Sequence, residues 1–280
     1  MCSLNVEILE KNQYALKLYI RDLPLHVLNA IRRTVISEVP VMAIDYVIFI
    51  ENSSVFYDEY IAHRLGLIPL DSENAYDKYK SPEECMEAGE KRTFSTDCFA
   101  KFDLEAEGLE NGMLTIYSGD LVPSDPDIKP VFDKIPLAKL VKGQRIKLEA
   151  FARLGRGREH IKWSPVSVAT HKYVPKIIVN DNCNGCGKCI DVCPRGLLKL
   201  SDGKVSVDKS RELSCNFCRL CEQVCELRAI KVSHKENEYI LYFEFTGALS
   251  PRKTLVEASN ILIKKLDEFE EKLKNLGVIQ

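Results

Sequence analysis

Tryptophan occurs once and methionine four times in this 280-residue sequence, long hydrophobic runs are missing, and neither sign of charge prevails. Each shortage excludes something. The longest uncharged apolar stretch near the N-terminus, Val39 to Ile44, ends at Asp45 and is far too short to cross a bilayer or to form a secretory core. No membrane association is expected, and the location is expected to be cytoplasmic. Lys+Arg 39 against Asp+Glu 41 gives a formal charge of −2, so no broad cationic surface exists to neutralise many phosphates. Direct sequence-specific nucleic-acid binding is therefore not expected. Cysteine is nearly missing from most of the chain: outside residues 183–225 only Cys2, Cys85 and Cys98 occur. A secreted disulfide scaffold, short and cysteine-rich throughout, is excluded. What is present, 45% hydrophobic and 29% charged residues, can bury a real core, and the length suits two or three domains.

The N-terminus reads as a hairpin, with Val6 and Ile8 before a polar turn at Lys11 and Asn12, then Leu16, Leu18 and Ile20 on alternating positions. Asp22 and Pro24 announce a helix carrying Leu28, Ile31 and Val35, stopped by Pro40. Residues 45–50 read as a strand, and 58–65 as a short helix closed by Gly66 in a left-handed cap, with Pro69 beyond. Between Thr93 and Glu149 short alternating segments such as 115–117 and 145–148 indicate a β-rich middle third, interrupted by a loop over 123–136 that holds four prolines. Residues 239–246 alternate again, and a long helix is predicted over 251–276. Its apolar positions Leu255, Leu262, Leu266, Phe269, Leu273 and Leu276 recur in steps of seven, four and three residues. That narrow stripe suits a partner helix, the alternative being a helix on its own core.

Eight cysteines form two runs, Cys183-x2-Cys186-x2-Cys189-x3-Cys193-Pro194 and Cys215-x2-Cys218-x2-Cys221-x3-Cys225. This is the spacing of bacterial two-cluster ferredoxins, in which three thiolates wrap one side of a cubane and the fourth cysteine of each run crosses to the other cluster. It assigns Cys183, Cys186, Cys189 and Cys225 to one [4Fe–4S] cluster, and Cys215, Cys218, Cys221 and Cys193 to a second. Gly185 and Gly187 permit a tight turn that brings backbone N–H groups toward the sulfurs. Structural zinc, the competing reading, needs only two cysteine pairs and leaves the third and fourth members of each run without a purpose. Glu226 replaces the proline after the second run, which loosens that arm and leaves one cluster open to a three-iron form. The segment from Val174 to Val232 has too few apolar residues to fold unaided, so ligation must supply the difference.

Three stretches outside the cysteines carry a family resemblance. Asn29-Ala30-Ile31-Arg32-Arg33-Thr34, Ser37 through Asp45, and Asp58-Glu59 with Ala62-His63-Arg64-Leu65-Gly66-Leu67-Ile68-Pro69-Leu70 resemble the signature of alpha-type RNA polymerase subunits, as does Leu154-Gly155-Arg156-Gly157-Arg158-Glu159-His160-Ile161-Lys162-Trp163. With the ferredoxin-like insertion, the chain is similar to the alpha-type subunits of archaeal DNA-dependent RNA polymerases. The resemblance implies an α+β fold in three parts: a dimerisation domain from both chain ends (1–45 with 233–280), an inserted β-rich alpha-type domain (46–173) and a ferredoxin-like domain (174–232). It further implies a non-catalytic assembly platform that pairs with subunit L through Leu28, Ile31, Val35, Leu255, Leu262, Leu266, Phe269 and Leu273. The second-largest subunit and subunits N and P are the other implied partners, and no catalytic residue is expected in this chain.

The residues agree with a platform. Gly155-Arg156-Gly157-Arg158 lacks the GxxxxGK[ST] arrangement of a phosphate cradle and reads as a polar interaction loop. Arg32, Arg33 and Arg64 are candidates for carboxylates of neighbouring subunits, or for a solvated helix face. His63 and His160 have no cysteine or carboxylate trio beside them and read as structural. An electron-transfer component of a redox enzyme is the alternative function. Seven Lys+Arg against five Asp+Glu over 183–225 give +2, not the acidic docking face of many soluble ferredoxins, and most of the chain has no redox purpose on that reading. A redox-sensing role for the clusters joins the two.

Overall fold

The structure is a computed structural model and describes residues 4–91 and 93–279. Cys2 lies outside them. Backbone contacts divide the chain into two compact units, one of residues 17–25 and 170–241 with the described residues up to Leu9, the other of 10–16, 26–169 and 242 onward.

The chain opens with the expected hairpin, β1 (Asn5–Lys11) and β2 (Ala15–Arg21). Asn12 closes its turn, its side-chain oxygen accepting from the N–H groups of Tyr14 and Ala15 at 2.8 and 2.7 Å. Helix α1 (Leu25–Ser37) follows and stops before Pro40, and β3 (Val41–Asn52) extends well beyond the strand predicted at 45–50. After α2 (Asp58–Gly66) and α3 (Ala75–Lys78), α4 (Pro82–Glu90) starts from a capping box in which Ser81 and Glu84 satisfy each other's backbone N–H groups. The β-rich middle comprises β4 (Ala100–Glu107), β5 (Leu114–Tyr117), β6 (Val122–Pro123), β7 (Pro136–Leu140) and β8 (Arg145–Gly155). Then come β9 (Val166–Val179), α5 (Lys188–Asp191), β10 (Leu198–Ser201), β11 (Lys204–Val207), α6 (Leu220–Gln223), β12 (Ile230–Phe245) and α7 (Pro251–Asn275).

Strands β3, β8, β4 and β6 form an antiparallel sheet in that order, β3 running against β8 from Val41 opposite Gly155 to Asn52 opposite Ile146. Phe102, Ile44, Leu148 and Leu154 of this sheet bury against Ile61 and Leu65 of α2 and against Ile116 and Leu140 of the small β5–β7 pair. A second four-stranded sheet has the order β1-β2-β12-β9, and β10 pairs with β11 as a hairpin.

Gly66 departs from the expected role. It has ordinary helical backbone inside α2, and Leu67 closes the helix at φ −89°, its N–H bonding back to Arg64 O. A Cβ at position 66 would stand 3.4 Å from Ile44 O, an ordinary contact, so glycine here makes no left-handed turn and meets no steric demand.

The start of α7 is anchored within its unit. Ser250 caps the helix by accepting from Lys253 N at 3.2 Å, and Glu73 accepts from both the N–H and the hydroxyl of Ser250 at 2.9 and 2.8 Å. Beyond Ala258 no described residue of α7 is buried.

Candidate metal centre and docking face

Both cysteine runs are short loops that enter a single helical turn, α5 in the first and α6 in the second. The two share one backbone shape. Gly185, Gly187 and Gly196 of the first have φ values of 71°, 81° and 57°, and Phe217, Arg219 and Arg228, thirty-two positions on, have 58°, 59° and 49°. Asn184 Oδ1 accepts from Cys186 N at 3.2 Å, and Asn216 Oδ1 accepts from Cys218 N at 3.4 Å in the second loop. Gly185 also serves packing, since a Cβ there would lie 2.2 Å from Gly203 O in the β10–β11 turn.

This shape places the sulfurs in two sets. Cys183, Cys186, Cys189 and Cys225 line one cavity of about 130 Å³. Cys193, Cys215, Cys218 and Cys221 line a second, narrower one. The last cysteine of each run thus faces the first three of the other. Each sulfur set lines a cavity, as ligands of a polynuclear group must. The sets fit a polynuclear iron–sulfur group better than zinc.

Backbone donors aim at the first set: Ala229 N reaches Cys225 Sγ at 3.2 Å and Val205 N reaches Cys183 Sγ at 3.5 Å. The Val205 and Gly185 N–H groups hold the Cys183 thiol below its ordinary pKa. Burial pushes the Cys189 thiol up and the Cys221 thiol up to about 11, with neighbouring sulfurs adding to both. Ligation requires thiolates, so filling either cavity displaces the protons that Cys189 and Cys221 hold. Glu226 does not simply loosen the second arm: its carboxylate accepts from Lys188 Nζ of α5 at 2.6 Å, tying the end of the second run to the first.

The other sequence candidates divide. Leu28 and Val35 are fully buried within this chain and Ile31 is half-buried, so the first two pack inward instead of presenting a face. On α7, Leu255, Leu262 and Leu273 are half-buried, while Leu266 and Phe269 are 66% and 60% exposed, with Ile263 and Leu276 bare beside them. Lys265 of α7 pairs with Glu38 at 3.1 Å, bringing the end of α1 to this helix.

Arg32 donates to Ala169 O at 3.2 Å and Arg64 to Pro136 O and the Tyr60 hydroxyl, so both guanidinium groups engage their own chain. Arg33 lines a polar cavity with His26, Glu38 and Lys265. The glycine-arginine loop is an interaction loop within the chain. Arg156 and Arg158 both pair with Glu83 of α4, Arg158 also pairs with Glu38, and a Cβ on Gly157 would strike Ile36 O at 2.0 Å. His160 accepts from Lys162 N and shares a cavity with His63 and Asp45.

Sequence reasoning missed one feature, a disulfide between Cys85 of α4 and Cys98, both buried under Phe99 and Phe151. The capping box Ser81-Pro82-Glu83-Glu84 was the available signal for α4, but nothing in the spacing marks the bridge.

No helix among the described residues is long and apolar enough to cross a membrane. Residues 47–174 match the RNA polymerase Rpb3/RpoA insert domain, and residues 182–229 match the 4Fe-4S dicluster domain. Curated relatives include the DNA-directed RNA polymerase subunit Rpo3 of Aeropyrum pernix, 41% identical over 98% of this chain and 96% of the relative. The protein of the same name from Archaeoglobus fulgidus is 40% identical over 97% and 98%, and that of Methanosarcina mazei 36% over 95% and 97%. Such identity over nearly the whole of both chains, with the cysteine runs inside the dicluster match, shows that the chain belongs to the Rpo3 family of DNA-directed RNA polymerase subunits.

Proposed function

We propose that this chain is a non-catalytic assembly platform of the polymerase, working in the cytoplasm, that forms a heterodimer with subunit L through α7 and the neighbouring part of α1. The observation that carries the reading is the uncovered apolar seam. Burying a side chain such as Leu266 or Phe269 contributes roughly 1.5–3 kcal/mol, and a 25-residue helix that leaves both bare beyond its anchored first turns is built to be covered. The inserted portion, 46–173, is assigned to the second-largest subunit, and subunits N and P complete the set of partners. The remaining divisions are 1–45 with 233–280 for dimerisation and 174–232 for the ferredoxin-like part.

Cys183, Cys186, Cys189 and Cys225 are assigned to one [4Fe–4S] cluster, and Cys193, Cys215, Cys218 and Cys221 to the other. Bound iron supplies cationic charge that holds eight thiolates together, and with it a one-electron redox couple. The chain's own contribution is positional: left-handed loop residues turn the sulfurs inward, and the Val205 and Ala229 N–H groups stabilise them. The role assigned is structural, with sensing of oxidants as its corollary, because loss of iron removes the folding energy of that segment.

Co-purification tests the platform. Replacing Leu266 or Phe269 with Asp places a charge in the seam at a cost of several kcal/mol and is expected to abolish capture of subunit L, while Cys186→Ser and Cys218→Ser lose iron but retain capture. Pairing unaffected by either aspartate refutes the assignment of α7. Iron and sulfide per chain, measured on anaerobically prepared complex, should approach about eight of each, as two four-iron cubanes require; about four of each would leave room for one cluster only.

A further inference from the structure

The two sulfur sets differ in the charges around them. Beside the first, Lys188 is neutralised by Glu226 at 2.6 Å and Lys204 by Asp181 at 2.9 Å. The exposed Arg195 and Arg219 stand at the rim of the second cavity, and behind Cys215 lies Lys172 of β9, half-buried and paired with no carboxylate among the described residues. Its ammonium donates to two main-chain carbonyls, Leu213 O at 2.6 Å and Cys215 O at 3.0 Å. Val174, two residues along on the same face of β9, packs with Tyr19, Ile240 and Leu213, so this face of the strand is fixed against the 213–215 segment. Arg211 performs a parallel task on the other side, donating to Gly196 O and Arg195 O just after Cys193.

We propose that Lys172 is the positioning residue of the second iron–sulfur site: it clamps the segment that delivers Cys215, and it holds an uncompensated positive charge against that cluster alone. The inference rests on the reading that Cys193, Cys215, Cys218 and Cys221 hold a cluster. A lysine bonded only to carbonyls has no carboxylate to offset its charge, whereas one paired with a carboxylate is locally cancelled. Reduction adds one electron to a thiolate-bound cluster, taking it from the 2+ to the 1+ core with no bond made or broken, and the added negative charge is stabilised by a nearby ammonium in a partly buried setting. Removing Lys172 therefore makes one of the two centres harder to reduce and leaves the other where it was.

The test uses the full chain bound to subunit L, prepared anaerobically and titrated with dithionite, with reduced centres counted by electron paramagnetic resonance and iron counted chemically. The wild-type protein is measured first: two reducible centres with about eight iron atoms support the two-cluster reading, and one centre with about four overturns that reading and the inference together. Lys172→Met is then expected to lower the reduced-to-oxidised ratio of one centre about tenfold at fixed potential, a shift of about 59 mV for one electron, and Lys172→Arg is expected to restore it. If the methionine variant sheds iron from one site, Lys172→Gln, which keeps a donor for the carbonyls without the charge, carries the measurement. An unshifted centre in the Met or Gln variant with iron retained, or an equal shift of both centres, overturns the role of Lys172 while leaving the two-cluster reading intact.

Discussion

Tyr76 shows how much a single hydroxyl can fix. Its phenol donates to Pro40 O at 2.6 Å, at the junction between α1 and β3, and Lys253 of α7 lies 4.9 Å from its ring. Burial, reinforced by the nearby Glu257 and Glu73 carboxylates, raises its pKa far above the ordinary phenol value. Burial likewise raises that of Tyr79, whose hydroxyl donates to Asp125. The sign follows directly: the unfolded chain ionises these tyrosines near about pH 10 and the folded chain does not, so their contribution is intact below about pH 10 and is lost as pH rises further. Thermal melts between about pH 8 and 11 should show stability falling above about pH 10, with tyrosinate absorbance rising together with unfolding. Tyr76→Phe should flatten that slope while costing about 1 kcal/mol at neutral pH; an unchanged slope would show that Tyr76 ionises freely in the folded state.

At the level of elements, the long helix and most strands were legible, because α7, β5 and β8 display their periods over enough residues to outweigh local noise. Their reach was not. β3 and β12 run far past the predicted segments, since paired strands continue through positions whose alternation is broken by bulges, as at Ile44 and Phe49 of β3. Gly66 misleads because a glycine in the last helical position leaves the same mark in sequence as one in a left-handed cap. Leu28 and Val35 sit on the apolar stripe of α1, and a stripe does not say whether its cover comes from the same chain. The bridge from Cys85 to Cys98 was illegible because two cysteines 13 residues apart match no ligand spacing. Closing a loop of that size stabilises by about 3 kcal/mol in the chain-entropy account. The double variant Cys85→Ala with Cys98→Ala should therefore melt earlier by an amount equivalent to about 3 kcal/mol. Mass spectrometry of the unreduced protein should find the chain two hydrogens lighter than its fully reduced, iron-free form. A mass that reduction leaves unchanged would show that the thiols remain free.

For the whole molecule, the dicluster character of the two cysteine runs was the most readable property, since ligand spacing is fixed by the shape of a cubane and not by tertiary context. Removing iron should unfold the 174–232 segment first, because its small buried cluster includes the proposed ligands Cys189, Cys215 and Cys221 beside a few residues such as Leu197, Val205 and Ile230. Limited proteolysis of chelator-treated protein should cut inside that segment while 47–155 stays intact; equal resistance with and without iron would rule this out. The two halves of the segment should not surrender together. Where the first loop turns on glycines, the second makes the same turns with Phe217, Arg219 and Arg228 at positive φ, a conformation costing roughly 1–2 kcal/mol per side chain. On the proposed ligation the second loop is a cocked spring held by its cargo, and the second site is expected to empty first. Relaxing it with Phe217→Gly and Arg219→Gly, which flank Cys218, should slow chelator-driven iron loss from the second site about tenfold, making the two sites fail in step.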